Sequence, residues 1–269
     1  MDAELPEMKI LNPQKKLSDF FDCLKKSQSR ALLLDYDGTL APFRVERDKA
    51  LPYPGVIEVL KQLMQNGGTR LVLISGRRLN DLIPLLALKR LPEIWGSHGA
   101  ERLLPNGSYQ KLPLPRDCAQ RLEAAANWMA RMGWNGCLER KPFGLGLHWR
   151  GMKPGEIEQI RARVLEQLPH LVAGTGLCLH EFDGGLELRL PGITKGKAVQ
   201  TILAEMQGET ISAYLGDDLG DEDAFGALKG RNLGVLVRDE LRETKADLWL
   251  RPPDELLDFL RRWETKTTS

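Results

Sequence analysis

A chain of 269 residues with 42% hydrophobic and 28% charged side chains holds enough apolar material for one large domain or two unequal ones, which excludes a disordered or fibrous protein. Its 38 basic and 37 acidic residues leave a net charge of +1, so no global field draws it onto nucleic acid or an anionic membrane. Cys23, Cys118, Cys137 and Cys178 form no CxxC pair and the four histidines have no zinc spacing, so reduced, packed thiols are expected and a zinc cluster is not.

Residues 1–17 are polar and partly acidic, without the apolar stretch of a secretory signal, and no run reaches membrane-spanning length; a cytoplasmic, monomeric protein is expected. Leu17, Phe20, Phe21 and Leu24 recur at helical spacing, and the continuous apolar run 31–34 then reads as a buried strand ending at Asp35. Val56, Val59, Leu60 and Leu63 mark a second helix, stopped at 66–68, before a second strand over 71–74. From about Pro105 to Leu190 the order changes to helix (117–132), strands (137–141 and 145–150), helix (154–168) and strands (177–182 and 186–190). Turn residues Pro105-Asn106-Gly107 and Pro191-Gly192 bracket this stretch. Strand-helix alternation resumes with a helix over 198–206, a strand over 211–215, a helix near 221–228 and a strand over 233–237; a helix over 255–263 closes the chain, with 265–269 frayed. The pattern predicts an α/β fold: a doubly wound parallel-sheet core from 1–104 and 191–269, interrupted by an inserted α+β cap (αββαββ) over 105–190.

In an open parallel sheet, ligands gather outside the carboxyl ends of the strands. Asp35 and Asp37 follow the first predicted strand, Ser75 the second, and Asp217 and Asp218 the strand over 211–215, while Lys195 opens the preceding helix. Paired carboxylates in a partly dry site repel unless a cation offsets them, and Mg²⁺ with oxygen ligands suits Asp35 plus Asp217. A carboxylate can attack phosphorus, a second can move the proton, and Ser75 and Lys195 suit phosphoryl oxygens. A bare Asp-x-Asp arises roughly once by chance in such a chain, so the weight rests on the ordered set. The segment 192–198 lacks the spacing of a nucleotide-binding loop, and Lys197 reads as a solvated helix residue.

The segments Asp35-Tyr36-Asp37-Gly38-Thr39, Ser75-Gly76-Arg77, Lys195-Gly196-Lys197-Ala198 and Gly216-Asp217-Asp218-Leu219-Gly220-Asp221 together resemble the haloacid dehalogenase superfamily. Glu139-Arg140-Lys141, His148-Trp149-Arg150, Glu187-Leu188-Arg189 and Ser97-His98-Gly99 extend the likeness to its trehalose-6-phosphate phosphatase family. Leu190 stands where that family usually has proline, and Leu219-Gly220 where it has Arg-Thr. The resemblance implies a Mg²⁺-dependent phosphatase acting on trehalose 6-phosphate through an aspartyl phosphate. Asp35 would be the nucleophile and Asp37 the acid/base, with Ser75 and Lys195 on the phosphoryl group. The metal would be held by Asp35, Asp37 and Asp217, its waters by Asp218 and Asp221. Gly38, Thr39, Gly76, Arg77 and His98 of the core, and Glu139, Lys141, His148, Arg150 and Glu187 of the cap, would bind substrate. A phosphatase for a mannosylglycerate or sucrose phosphate, or a non-catalytic sugar-phosphate sensor, are the alternatives.

Overall fold

The computed structural model of the protein describes residues 8–182 and 184–267. Its elements in chain order are β1 (Lys9–Ile10), α1 (Leu17–Lys26), β2 (Ser29–Leu34), α2 (Val56–Asn66), β3 (Arg70–Ile74), α3 (Leu79–Leu86), β4 (Glu93–Gly96), β5 (Glu101–Leu103) and β6 (Tyr109–Lys111). Then come α4 (Arg116–Arg131), β7 (Leu138–Lys141), β8 (Gly144–His148), α5 (Pro154–Leu171), β9 (Cys178–Phe182) and β10 (Gly185–Arg189). The chain finishes with α6 (Lys195–Ala204), β11 (Thr210–Gly216), α7 (Glu222–Ala227), β12 (Leu233–Val237), β13 (Leu248–Leu250) and α8 (Asp254–Thr267).

Two compact units result, one from the residues up to Gln110 together with those from Thr194 onward, the other Lys111–Ile193. The first unit is built on a nine-stranded sheet in the order β1-β13-β12-β11-β2-β3-β4-β5-β6, whose central strands are parallel. Period-two alternation sorts each central strand between two layers. Leu32 and Leu34 of β2 pack with Phe20, Val59, Phe259 and Trp263 of α1, α2 and α8. Ala31 and Leu33 face Val199 and Ile202 of α6 and Phe225 of α7 on the other side. The sheet is therefore doubly wound, as its continuous apolar runs require.

The unit Lys111–Ile193 follows the order α-β-β-α-β-β, with its four strands arranged β7-β8-β10-β9. Leu145, Leu147, Leu186 and Leu188 turn one sheet face onto Leu122, Met129, Ile160 and Val164 of α4 and α5. The compact units divide at Gln110 and Ile193 rather than at the turn residues near 105 and 191, because β6 continues the first sheet beyond the Gly107 turn. Two expectations are corrected. Residues 265–267 continue α8, with Thr267 buried and its hydroxyl donating to the Trp263 carbonyl at 3.0 Å. Strand β8 stops at His148, so Arg150 lies in a turn: Trp149 N–H still donates to the Gly184 carbonyl at 2.9 Å, and Gly151 then takes φ of 86°. The expectations for 1–7 and 268–269 lie outside the described residues. Among those described, no helix is long and apolar enough to cross a membrane.

Candidate active site

Strands β11, β2 and β3 are neighbours, and each is followed by a buried polar residue: Asp217, Asp35 and Ser75. From β2 the chain passes to β3 on one side and later returns to β11 on the other, so a crevice opens at this topological switch point. Backbone pairing fixes the level of these residues. Asp35 N–H donates to the Leu215 carbonyl at 2.9 Å, and Ser75 N–H to the Trp95 carbonyl at 2.8 Å.

The turns that follow are tight. The Tyr36 carbonyl accepts from the N–H groups of Thr39, Leu40 and Ala41, while Gly38 sits at φ of 82°. A Cβ at residue 38 would strike the Asp217 carboxylate and the Phe43 ring, so the glycine permits the loops after β2 and β11 to approach. A Cβ at Gly76 would likewise come within 2.7 Å of the His98 imidazole. His98 itself follows Ser97 through two left-handed residues, φ 57° and 49°, a conformation costing about 1–2 kcal/mol each. Hydrogen bonds hold it there: His98 N–H to the Ser75 carbonyl at 2.9 Å and Ser97 N–H to the Arg77 carbonyl at 2.7 Å.

The charges of the hollow are sorted into pairs. Lys195 Nζ lies 2.7 Å from Asp35 Oδ1 and 2.7 Å from Asp221 Oδ1. Asp221 also accepts from the Tyr214 hydroxyl and, at 3.0 and 2.9 Å, from the N–H groups of Asp217 and Asp218. Both of its oxygens are thus occupied by protein donors. Asp221 thereby anchors Lys195 and the 217–221 loop. Asp218 caps that loop, accepting from Leu219 N–H at 2.6 Å. Asp37 sits in the fork of Arg77, with Nε to Oδ2 at 2.7 Å and Nη2 to Oδ1 at 2.6 Å, while Nη1 donates to the Arg47 carbonyl at 2.7 Å. All three guanidinium nitrogens of Arg77, which the resemblance placed on the substrate, are turned to Asp37 and Arg47 here. Ser75 Oγ accepts from Arg77 N–H at 3.1 Å, and the Thr39 hydroxyl stands 3.5 Å from Asp35 Oδ2.

Asp217 is the exception. It is 2% exposed, and neither carboxylate oxygen has a hydrogen-bond partner. Arg238 and Arg242 approach only its backbone carbonyl, at 3.5 and 3.4 Å. Burial, with Asp35 and Asp221 alongside, holds the Asp217 carboxyl well above the usual carboxylate range. Burial also pushes Asp35 up to about 7 against the pull of Lys195. Asp221 is held below its ordinary value, since Lys195 and the Tyr214 hydroxyl outweigh burial, and the surrounding acids raise Lys195 although burial opposes its charge. An unpaired buried carboxylate is costly. Carboxylate oxygens of Asp35, Asp217 and Asp221 lie within 4.8 Å of one another, a hard-oxygen donor set that suits a divalent cation.

In the second unit a polar cluster covers one sheet face. Register aligns Glu139, Gly146, Glu187 and His180 across the four strands. Lys141 Nζ is 2.6 Å from Glu187 Oε1 and 3.9 Å from Glu139 Oε2, and His148 Nε2 is 2.7 Å from Glu139 Oε2. Arg189 completes the set at 3.2 Å from Glu187 Oε2. Arg150 packs instead over Gly184. Sequence reasoning missed Arg189, although its spacing of two from Glu187 on one strand signalled a shared face. It also missed Tyr214, whose buried hydroxyl was bound to need a partner, and His180.

A doubly wound sheet of this kind is also the fold of a haloacid dehalogenase-like hydrolase from B. subtilis, with a TM-score of 0.61 and 15% identity over 86% of this chain and 98% of that one. The C-terminal domain of trehalose-6-phosphate phosphatase from C. albicans has the same fold, with a TM-score of 0.80 and 21% identity over 96% of this chain and 99% of that one. Trehalose-phosphate phosphatases from Mycobacterium marinum and Mycobacterium ulcerans are 30% and 28% identical over 97% of this chain and 70% of each relative. The trehalose-phosphatase family profile matches residues 33–248. The chain therefore belongs to the trehalose-phosphatase family and is a phosphoric monoester hydrolase. Family, fold class and enzyme class are those expected from the sequence.

Proposed function

We propose that the chain hydrolyses trehalose 6-phosphate to trehalose and inorganic phosphate, acting as a cytoplasmic monomer through an aspartyl phosphate on Asp35. The observation that carries this reading is the buried hollow in which Asp35 and Asp217 converge while Asp217 keeps both oxygens free of protein donors. Mg²⁺, when bound, would be held by Asp35, Asp217 and the Asp37 carbonyl, offsetting the charge of these carboxylates and of the phosphoryl oxygens.

Lys195 tethers one Asp35 oxygen and leaves the other to attack phosphorus. As the bond between phosphorus and the sugar oxygen breaks, its electron pair stays on that oxygen, which takes a proton from Asp37; Asp37 later accepts a proton from the water that opens the acyl phosphate. Lys195, with one N–H left after Asp35 and Asp221, joins Ser75 and the backbone N–H of Gly76 in receiving the phosphoryl oxygens, while the Gly38 and Thr39 N–H groups donate to the Ala41 and Tyr36 carbonyls and shape the turn beside them. His98 supports Gly76 from behind. Residues 105–190 act as the substrate-selecting cap, in which Glu139, Lys141, His148 and Glu187, with Arg150 just past β8, bind sugar hydroxyls. Charged partners fixed to one another, as Lys141 is to Glu187, suit hydroxyl recognition because each hydroxyl both donates and accepts.

Phosphate release measured in parallel on trehalose 6-phosphate, sucrose 6-phosphate, mannosyl-3-phosphoglycerate and glucose 6-phosphate, with Mg²⁺ and with a chelator, tests the reading. Metal-dependent turnover of trehalose 6-phosphate above the rest is expected. Turnover of another member with trehalose 6-phosphate untouched removes the substrate assignment, and no turnover of any removes the catalytic one.

A further inference from the structure

The two acids after β2 are held by different kinds of cation. Asp35 meets the point charge of Lys195 through one oxygen, while Asp37 is gripped through both oxygens by a planar guanidinium. A single contact lets a carboxylate swing about it, whereas a fork fixes the carboxyl plane. The fork is itself immobile: Arg77 is 3% exposed, its third nitrogen is tied to the Arg47 carbonyl, and its guanidinium stands 5.7 Å from the centre of the Tyr36 ring. Its backbone is pinned on both sides, by Ser75 Oγ at the N–H and by Ser97 N–H at the carbonyl. Asp37 nonetheless keeps 27% of its side chain open, against 4% for Asp35. A carboxyl group gripped from behind and open in front is arranged to meet a leaving oxygen, then a water, along one fixed direction.

We infer that Arg77 is the positioning residue for proton transfer, orienting Asp37 toward the oxygen that leaves rather than touching the phosphoryl group or the sugar. This rests on the reading of Asp37 as acid/base. An alcohol leaving from phosphorus needs the proton, while p-nitrophenolate leaves without it, so misplacing Asp37 must discriminate between the two. Loss of a positive charge that merely attracts phosphate, or loss of structure, lowers both alike.

The test is kcat/KM, which covers the steps through departure of the leaving group, for trehalose 6-phosphate and p-nitrophenyl phosphate with Arg77→Met, Arg77→Lys and Asp37→Asn. Thermal melts verify that each variant is folded; Arg77→Lys keeps the charge and loses only the fork. For both Arg77 variants a fall of about 100-fold on the sugar phosphate and no more than about 3-fold on the aryl phosphate is expected, in parallel with Asp37→Asn. Adding Asp37→Asn to Arg77→Met causes little further loss if the two act as one unit. Equal falls on both substrates with Arg77 changed, while Asp37→Asn discriminates, overturn the inference and leave the acid/base reading intact. If Asp37→Asn fails to discriminate as well, both are overturned.

Discussion

Metal binding in this hollow must displace protons, because burial favours the protonated form of its carboxyl groups. Without a cation, Asp35 is pushed by burial to about 7, and Asp217 is raised well above 3.8 by burial and its acidic neighbours. At pH 6 Asp35 is then about nine-tenths protonated. A cation taking both carboxylates expels close to one proton from Asp35 and a further one from the protonated fraction of Asp217. Proton release on Mg²⁺ binding is expected at pH 6, falling off by pH 8. The linked stability follows with opposite sign to the usual carboxylate. Because the folded pKa of Asp35 lies above its unfolded value of 3.8, this carboxyl binds more proton in the metal-free native state than in the unfolded chain between pH 4 and 7. The contribution of this one group to stability therefore declines as pH rises through that window, by on the order of a few kcal/mol. Titration calorimetry in buffers of different ionisation enthalpy counts the protons, and urea unfolding of the chelated protein at pH 5 and 7 measures the slope. Mg²⁺ binding without proton release at pH 6 refutes the reasoning.

Asp217→Asn removes the uncompensated carboxylate, so at pH 8 the metal-free protein gains about 1–3 kcal/mol in denaturant unfolding while Mg²⁺-dependent turnover collapses. A loss of stability instead would mean that the carboxylate is already paired. Gly38→Ala forces a side chain onto that carboxylate at a positive φ; a loss of about 2 kcal/mol or more, read by thermal unfolding, comes with a higher Mg²⁺ concentration for half-activation. Lys141→Ala leaves Glu139 and Glu187 without the cation between them, and KM for trehalose 6-phosphate rises by about 10-fold or more with a smaller change in kcat in steady-state assays.

Residues at the ends of the central strands were legible in the sequence because each closes a continuous apolar run, and such runs end where the backbone emerges beside a ligand. Asp35, Ser75 and Asp217 are of this kind. Elements whose stability is tertiary were not legible. Helix α3 buries Leu79, Leu82, Leu85 and Leu86 at helical spacing, but it is short and carries Pro84 inside it, a residue that reads as a helix breaker. Strand β4 contains Glu93, buried at 3% exposure, which looks foreign to a core strand until Arg70, Arg102 and the Trp95 indole are seen to satisfy it. Strands β1 and β13 span only two and three residues and exist through their pairing. The same limit applied to roles: the resemblance placed Arg77 among the substrate-binding residues, and nothing local revealed that the Arg47 carbonyl and both Asp37 oxygens would engage it.

Charge arithmetic ties the observations in the first unit together. Asp35, Asp37, Asp217 and Asp221 contribute four carboxylates to the hollow, while Lys195 and Arg77 contribute two cations, leaving a formal charge of −2 when all are ionised. The deficit is not spread evenly. Asp37 and Asp221 are satisfied by protein donors and Asp35 is half satisfied, so the shortfall falls on the face shared by Asp35 and Asp217. The raised carboxyl pKa values and the unpartnered oxygens of Asp217 are thus two signs of one charge deficit, which protons offset at low pH and a divalent cation offsets near neutrality. Two further lysines or arginines would also have balanced the charge, but with their donors fixed on the acids they would have left no coordination positions for a phosphoryl oxygen. Leaving the gap open on that face alone makes the phosphate site depend on an ion that can hold both protein and substrate oxygens at once.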